Sequence, residues 1–171
     1  SRLIAGHFVA PYRMAGKSGK NDANDAAAIC EAACRPHMRF VPIKTAEQQG
    51  QLAIHRLREG FKEERNALIN RIRGLLGEFG LVFPKSPEAL HGSLAEVIED
   101  ATNELPAVAR LALQRALLHW LDVELQLAWC DERIANHVRT DERAKRAATL
   151  LGVGPTTTSA LVASVGDFAQ F

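Results

Sequence analysis

Asp22 and Asp25 lie three residues apart in Lys20-Asn21-Asp22-Ala23-Asn24-Asp25-Ala26 and are the side chains best suited to chemistry in this sequence. Residues three apart share a helical face, so both carboxylates can reach one divalent cation. Carboxylates at a helix start also serve free backbone N–H groups, and on local grounds both uses stay open. Cys30, Cys34 and His37 have the spacing C-x3-C-x2-H. Structural zinc takes four ligands and closer cysteine pairs, so two cysteines one turn apart point instead to core packing. The six histidines form no H-E-x-x-H pattern, and the loop Gly16-Lys17-Ser18-Gly19-Lys20 lacks the phosphate-loop spacing.

The elements that must hold these groups follow from periodicity and punctuation. Residues 3–11 read as a short buried strand running into the glycine- and lysine-rich loop, and a helix is expected over about 22–34, stopped before Pro36. Residues 39–43 read as a second extended piece. Thr45-Ala46-Glu47-Gln48 has the form of a capping box opening a long helix that Gly80 would end. Ser93-Leu94-Ala95-Glu96 reads as the opening of a shorter helix. A second long helix follows Pro106, with Val108, Leu111, Leu118, Leu121, Leu125, Trp129 and Ile134 as its expected buried stripe. Trp120 belongs to the same helix and is expected in the hairpin or its dimer interface. Two long amphipathic helices on a compact linker predict an antiparallel coiled-coil hairpin, with enough apolar shaft left over to pair with a second copy.

The tail holds Leu151-Gly152-Val153-Gly154-Pro155 between two expected helices, the h-x-G-h-G pattern of a helix-hairpin-helix element. Its glycines permit a tight turn, and the next helix offers free N–H groups to a phosphate without reading sequence. Gly152, Gly154 and Thr156 are the candidate contacts. Thr156 stands where related hairpins often carry lysine, while Arg143, Lys145 and Arg146 supply positive charge nearby. A plain helix–helix turn is the alternative.

Charge is divided along the chain. The 171 residues carry a net +1, but residues 1–73 stand at +6 and residues 74–138 at −6. An anionic partner for the first part fits this division. Arg56, Arg58, Lys62, Arg65, Arg71 and Arg73, with His55, are the candidate DNA- or RNA-binding side chains; a solvated face laced by pairs such as Glu59 with Lys62 is the alternative. Three cysteines suit a reducing compartment, no apolar run is long enough to span a membrane, and Ser1 in place of an initiator methionine suits a processed or excerpted product.

The order of these segments resembles one family. Lys20-Asn21-Asp22-Ala23-Asn24-Asp25-Ala26 is similar to the K-[TN]-D-x-x-D-A motif of the DEDD-type insertion-sequence transposases, which include the Piv-type DNA invertases. Arg35-Pro36, Arg39-Phe40-Val41-Pro42, Gln48-Gln49 through His55-Arg56, and residues 70–80 resemble its continuation. Leu151-Gly152-Val153-Gly154-Pro155 and Gly166-Asp167 with Phe171 resemble the opening of the C-terminal transposase domain.

The resemblance implies a mainly α chain in three parts: the end of a RuvC-like α/β domain over 1–43, a coiled-coil hairpin over 44–138, and the start of the C-terminal domain over 139–171. It implies that Asp22 and Asp25 are the last two of four acids holding Mg²⁺, that a serine of the C-terminal domain attacks DNA, and that a structured RNA guides target choice. No acid precedes Asp22, and Ser159 and Ser164 do not match the serine motif, so the 171 residues are expected to be inactive alone. The expected function is that of a transposase or site-specific recombinase segment in the bacterial or archaeal cytoplasm, near the nucleoid. A non-catalytic helical scaffold that binds nucleic acid or dimerises is the rival expectation.

Overall fold

The structure, a computed structural model, describes residues 2–13 and 21–165. The loop carrying Lys20, and Gly166, Asp167 and Phe171 of the resemblance, lie outside the described residues. The chain forms two compact units, one from the described residues up to Gln48 with Ser164 and Val165, the other Gln49–Ala163.

In the first unit, β1 (Leu3–Ile4) pairs antiparallel with β2 (Phe40–Val41), Leu3 opposite Val41 and Ile4 opposite Phe40. The strand expected over 3–11 is only these two residues long. Beyond Ile4 the partner chain turns, Met38 N–H bonding the Arg35 carbonyl at 3.1 Å, and leaves nothing to pair with. The chain closes its own hydrogen bonds instead as α1 (Gly6–Val9) and a 3₁₀ turn (Ala10–Tyr12) with Pro11 in its first turn. The helix α2 (Asp22–Ala33) buries Ala28 and Ala32 with Val9, against Ile4, Tyr12 and Met38. Cys30 and Cys34 are exposed, which corrects the core-packing expectation: the small alanines, not the cysteines, face the sheet and α1.

The capping box is realised. Gln48 N–H bonds the Thr45 hydroxyl at 3.1 Å, and Thr45 N–H returns to Gln48 Oε1 at 3.0 Å. They open α3 (Ala46–Glu78). It ends in a Schellman turn: Gly80 takes φ +74°, Leu81 N–H bonds the Leu76 carbonyl and Gly80 N–H that of Gly77.

In the second unit, α4 is Pro87–Glu99 and starts six residues before the expected Ser93. Ser86 is its cap, bonded by Ala89 N–H at 3.3 Å, and Pro87 occupies the first turn, where a missing N–H costs nothing. Ser93 lies inside the helix with its hydroxyl on the Ala89 carbonyl, and Gly92 does not interrupt it. The second long helix, α5 (Ala107–Thr140), runs antiparallel to α3: Arg58 meets Asp131 at 2.6 Å and Arg65 meets Glu124 at 3.6 Å.

The buried stripe of α5 differs from the expected one. Leu113, Trp120, Val123, Leu127, Cys130 and Ile134 face inward. Val108, Leu111, Leu118, Leu121, Leu125 and Trp129 are exposed, and only Ile134 was common to both sets. Both series repeat every seven residues, and the inner one wins because Leu68, Ile69, Ile72 and Leu76 of α3 and Leu90 and Leu94 of α4 meet Leu113 and Trp120. Each such side chain contributes roughly 1.5–3 kcal/mol by burial. Arg110, which the sequence did not single out, ties the α4–α5 connection together by donating to the carbonyls of Ile98 at 2.6 Å and Leu105 at 3.1 Å. Short helices α6 (Glu142–Ala148) and α7 (Pro155–Ser164) complete the unit.

Candidate metal-ligand pair and nucleic-acid surface

Asn21, not an aspartate, caps α2. Its side-chain oxygen accepts the Asn24 N–H at 2.8 Å, so neither Asp22 nor Asp25 is used for this purpose. Both acids stand in the first turn, where the helix dipole favours negative charge. Asp22 is exposed; Asp25 is half-buried and paired with Arg13 at 3.1 Å. Two carboxylates supply the oxygen donors a hard cation prefers. They do not complete a shell, because no group of three or more His, Cys, Asp or Glu side chains gathers among the described residues. The Cys30, Cys34 and His37 set forms no such group either.

The basic side chains of α3 divide into two groups. Arg58 is paired with Asp131, Lys62 with Glu59 at 3.1 Å, and Arg65 with Glu124. Arg73 donates to the Pro84 carbonyl at 3.1 Å and to that of Lys85, fastening the connection after α3. Arg56 and Arg71 are exposed and have no ion-pair partner among the described residues. Surface ion pairs such as that of Lys62 with Glu59 contribute little to stability.

The turn between α6 and α7 is built from its ends inward. Asp141 caps α6, accepting the N–H groups of Arg143 at 2.7 Å and Ala144 at 3.2 Å. The Arg143 guanidinium bonds the same carboxylate, and these donors hold the Asp141 pKa down at about 2. Gly152 takes φ +84°, a conformation that side chains rarely adopt. Pro155 opens α7 at its first position, and Thr158 N–H bonds the Gly154 carbonyl at 2.9 Å. A Cβ at Gly152 or Gly154 would meet no other atom, so the backbone there is open to approach from outside. Thr156 is exposed beside it, and the Leu151 side chain at the tip is fully exposed.

A polar group that sequence reasoning missed lies behind this turn. The Ser159 hydroxyl, fully buried on α7, sits 2.9 Å from His55 Nε2 of α3 and 2.8 Å from His137 Nδ1 of α5. His137 Nε2 in turn faces Asp141 Oδ2 at 3.9 Å. His55 was a candidate nucleic-acid contact; the structure turns it inward. Nothing in the local sequence joins residues 55, 137 and 159, which are brought together only by the packing of three helices.

Trp120 is buried with its indole N–H on Glu124 at 3.0 Å. Trp129 is partly exposed, with the Arg133 guanidinium 5.6 Å from its ring centre.

Known proteins similar to this chain share one description. A probable family 20 transposase of Pseudomonas aeruginosa is 45% identical over 99% of the chain and 50% of its own length. The transposase for insertion sequence element IS1328 of Yersinia enterocolitica is 37% identical over 97% of the chain and 48% of its own length. The transposase for insertion sequence element IS1111A of Coxiella burnetii is 36% identical over the whole chain and 46% of its own length. The chain thus spans about half the length of the curated relatives it matches. No family model and no solved structure matches it. At this level of identity along nearly its whole length, the chain is similar to one half of these insertion-sequence transposases.

Proposed function

We propose that the chain is the central part of a DEDD-type transposase that cuts and rejoins DNA as a site-specific recombinase. The observation that carries this reading is the similarity to transposases along nearly the whole chain. Asp22 and Asp25 would be two of the ligands for Mg²⁺, whose charge would stabilise a phosphodiester under attack. The capping use of these acids is filled by Asn21, which favours the ligand role. Two carboxylates are too few to hold the ion, so no catalytic step is assigned to these residues alone. The α3–α5 pair would be a coiled coil that dimerises through the exposed α5 series, and the α6–α7 element a helix-hairpin-helix in which Gly152, Gly154 and Thr156 hold a phosphate. Arg56 and Arg71 would contact the DNA or guide-RNA backbone first, with Arg58, Lys62, Arg65 and Arg73 nearby on the same helix. The site of action would be the cytoplasm, at the nucleoid.

A second reading has one observation in its favour: Arg58, Lys62, Arg65 and Arg73 all have internal partners, as in a scaffold whose charges serve its own fold. Recombination by an intact relative with Asp22→Ala or Asp25→Ala at the matching positions separates the two. Loss of recombination with folding near wild type is expected. Wild-type recombination by either variant removes the ligand assignment.

A further inference from the structure

We infer that Ser159 is a positioning residue: held between His55 and His137, it locks α7 onto the two long helices, and the lock opens when both imidazoles are protonated. The Ser159 hydroxyl carries one proton, and two ring nitrogens face it at 2.9 and 2.8 Å. One ring must therefore donate and the other accept. Asp141 decides which, by the logic of the network. Its carboxylate is ionised and faces His137 Nε2, so that nitrogen carries the proton and His137 Nδ1 is the acceptor. The chain then runs from His55 Nε2–H to Ser159 Oγ, from the Ser159 hydroxyl to His137 Nδ1, and from His137 Nε2–H toward Asp141.

One added proton is tolerated. With His137 doubly protonated, its Nδ1–H turns toward Ser159 Oγ; His55 moves its own proton from Nε2 to Nδ1 through solvent, and the Ser159 hydroxyl swings to donate to the bare His55 Nε2. A second proton makes both rings donors, leaves the buried hydroxyl without its acceptor and sets two cations against one oxygen. At His55, burial and the nearby Arg58 charge oppose that state. From α3 the node meets Arg58, itself paired with Asp131 of α5; Asp141 and the Arg143 bound to it lie beyond His137. Residues of α7 contribute no titratable group. Burial, with His137 and Arg58, lowers the His55 pKa below its ordinary 6.5, in agreement with a ring that must stay neutral.

Ser159 follows the open turn at Gly152 and Gly154 by barely two helical turns, so the lock sets how firmly that turn is held. Its bearing on DNA rests on the phosphate reading proposed above; the lock itself does not. Amide hydrogen exchange of α7 in the purified chain, expressed as protection relative to unstructured peptide, tests it at about pH 7.5 and about pH 5. Wild type is expected to lose about tenfold in α7 protection on going to the lower pH. Ser159→Ala should show the low value at both. His55→Gln keeps a donor and acceptor but does not titrate, so it should keep α7 protected at the lower pH. Equal wild-type protection at both pH values, or a Ser159→Ala profile like wild type, overturns the proposal. Affinity for mixed-sequence duplex DNA, read on the same samples, should fall with α7 protection. If α7 behaves as expected but no DNA binds at either pH, the lock stands and the phosphate reading fails.

Discussion

Asp141 shows how much one side chain contributes when it serves several donors. It accepts two backbone N–H groups of α6 and the Arg143 guanidinium. Replacing such a cap by alanine costs about 1 kcal/mol. Because its folded pKa is lowered from 3.8 to about 2, its contribution is complete above pH 3.8 and is lost as the pH falls toward 2. Urea unfolding of wild type and Asp141→Asn should therefore differ at neutral pH and converge near pH 2; a gap that persists there would refute the carboxylate's role. Residue roles set by near neighbours were legible in the sequence, as with Thr45 and Gln48. Asp22 and Asp25 were legible as two acids on one turn, but the helix cap falls to Asn21, one residue earlier. The His55, Ser159 and His137 node was not legible, since its members are 104 and 22 residues apart and no periodicity links them.

Among the helices, α5 carries two apolar series, and a heptad pattern alone cannot say which one turns inward. Leu111, Leu118 and Leu125 recur every seven residues as regularly as Leu113, Trp120, Leu127 and Ile134. Partners decide the matter: α3 and α4 present their leucines and isoleucines to the second series. The outer series leaves Leu111 66% and Leu125 69% exposed, the patch that a second copy would cover in the proposed dimer. Leu118→Glu with Leu125→Glu should abolish self-association in sedimentation equilibrium while the helical circular dichroism stays at the wild-type value. A wild-type chain that is monomeric at high micromolar concentration would rule out this interface. Trp120→Ala should act oppositely, costing about 3–5 kcal/mol of stability, because it empties the junction of α3, α4 and α5. A loss below 1 kcal/mol in a denaturant titration would mean that the junction collapses around the gap.

Across the whole molecule the mainly helical character, the two long helices and the transposase relationship were all legible, because long periodic segments and ordered motifs survive without tertiary context. The short β1, the early start of α4 and the inner face of α5 were not, because each is decided by what lies opposite in space. Among the described residues no helix is long and apolar enough to cross a membrane. The charge division, +6 over residues 1–73 against −6 over 74–138, sets the expectation that an anionic polymer meets the first stretch. Fluorescence anisotropy of a labelled mixed-sequence duplex, titrated with the chain from about 50 to about 200 mM salt, measures this most directly. Binding at the lower salt that weakens log-linearly as salt rises, and weakens further in Arg56→Ala with Arg71→Ala, is the expected result. No binding at the lower salt, or binding indifferent to both salt and the two arginines, would contradict a nucleic-acid backbone as the partner of these helices.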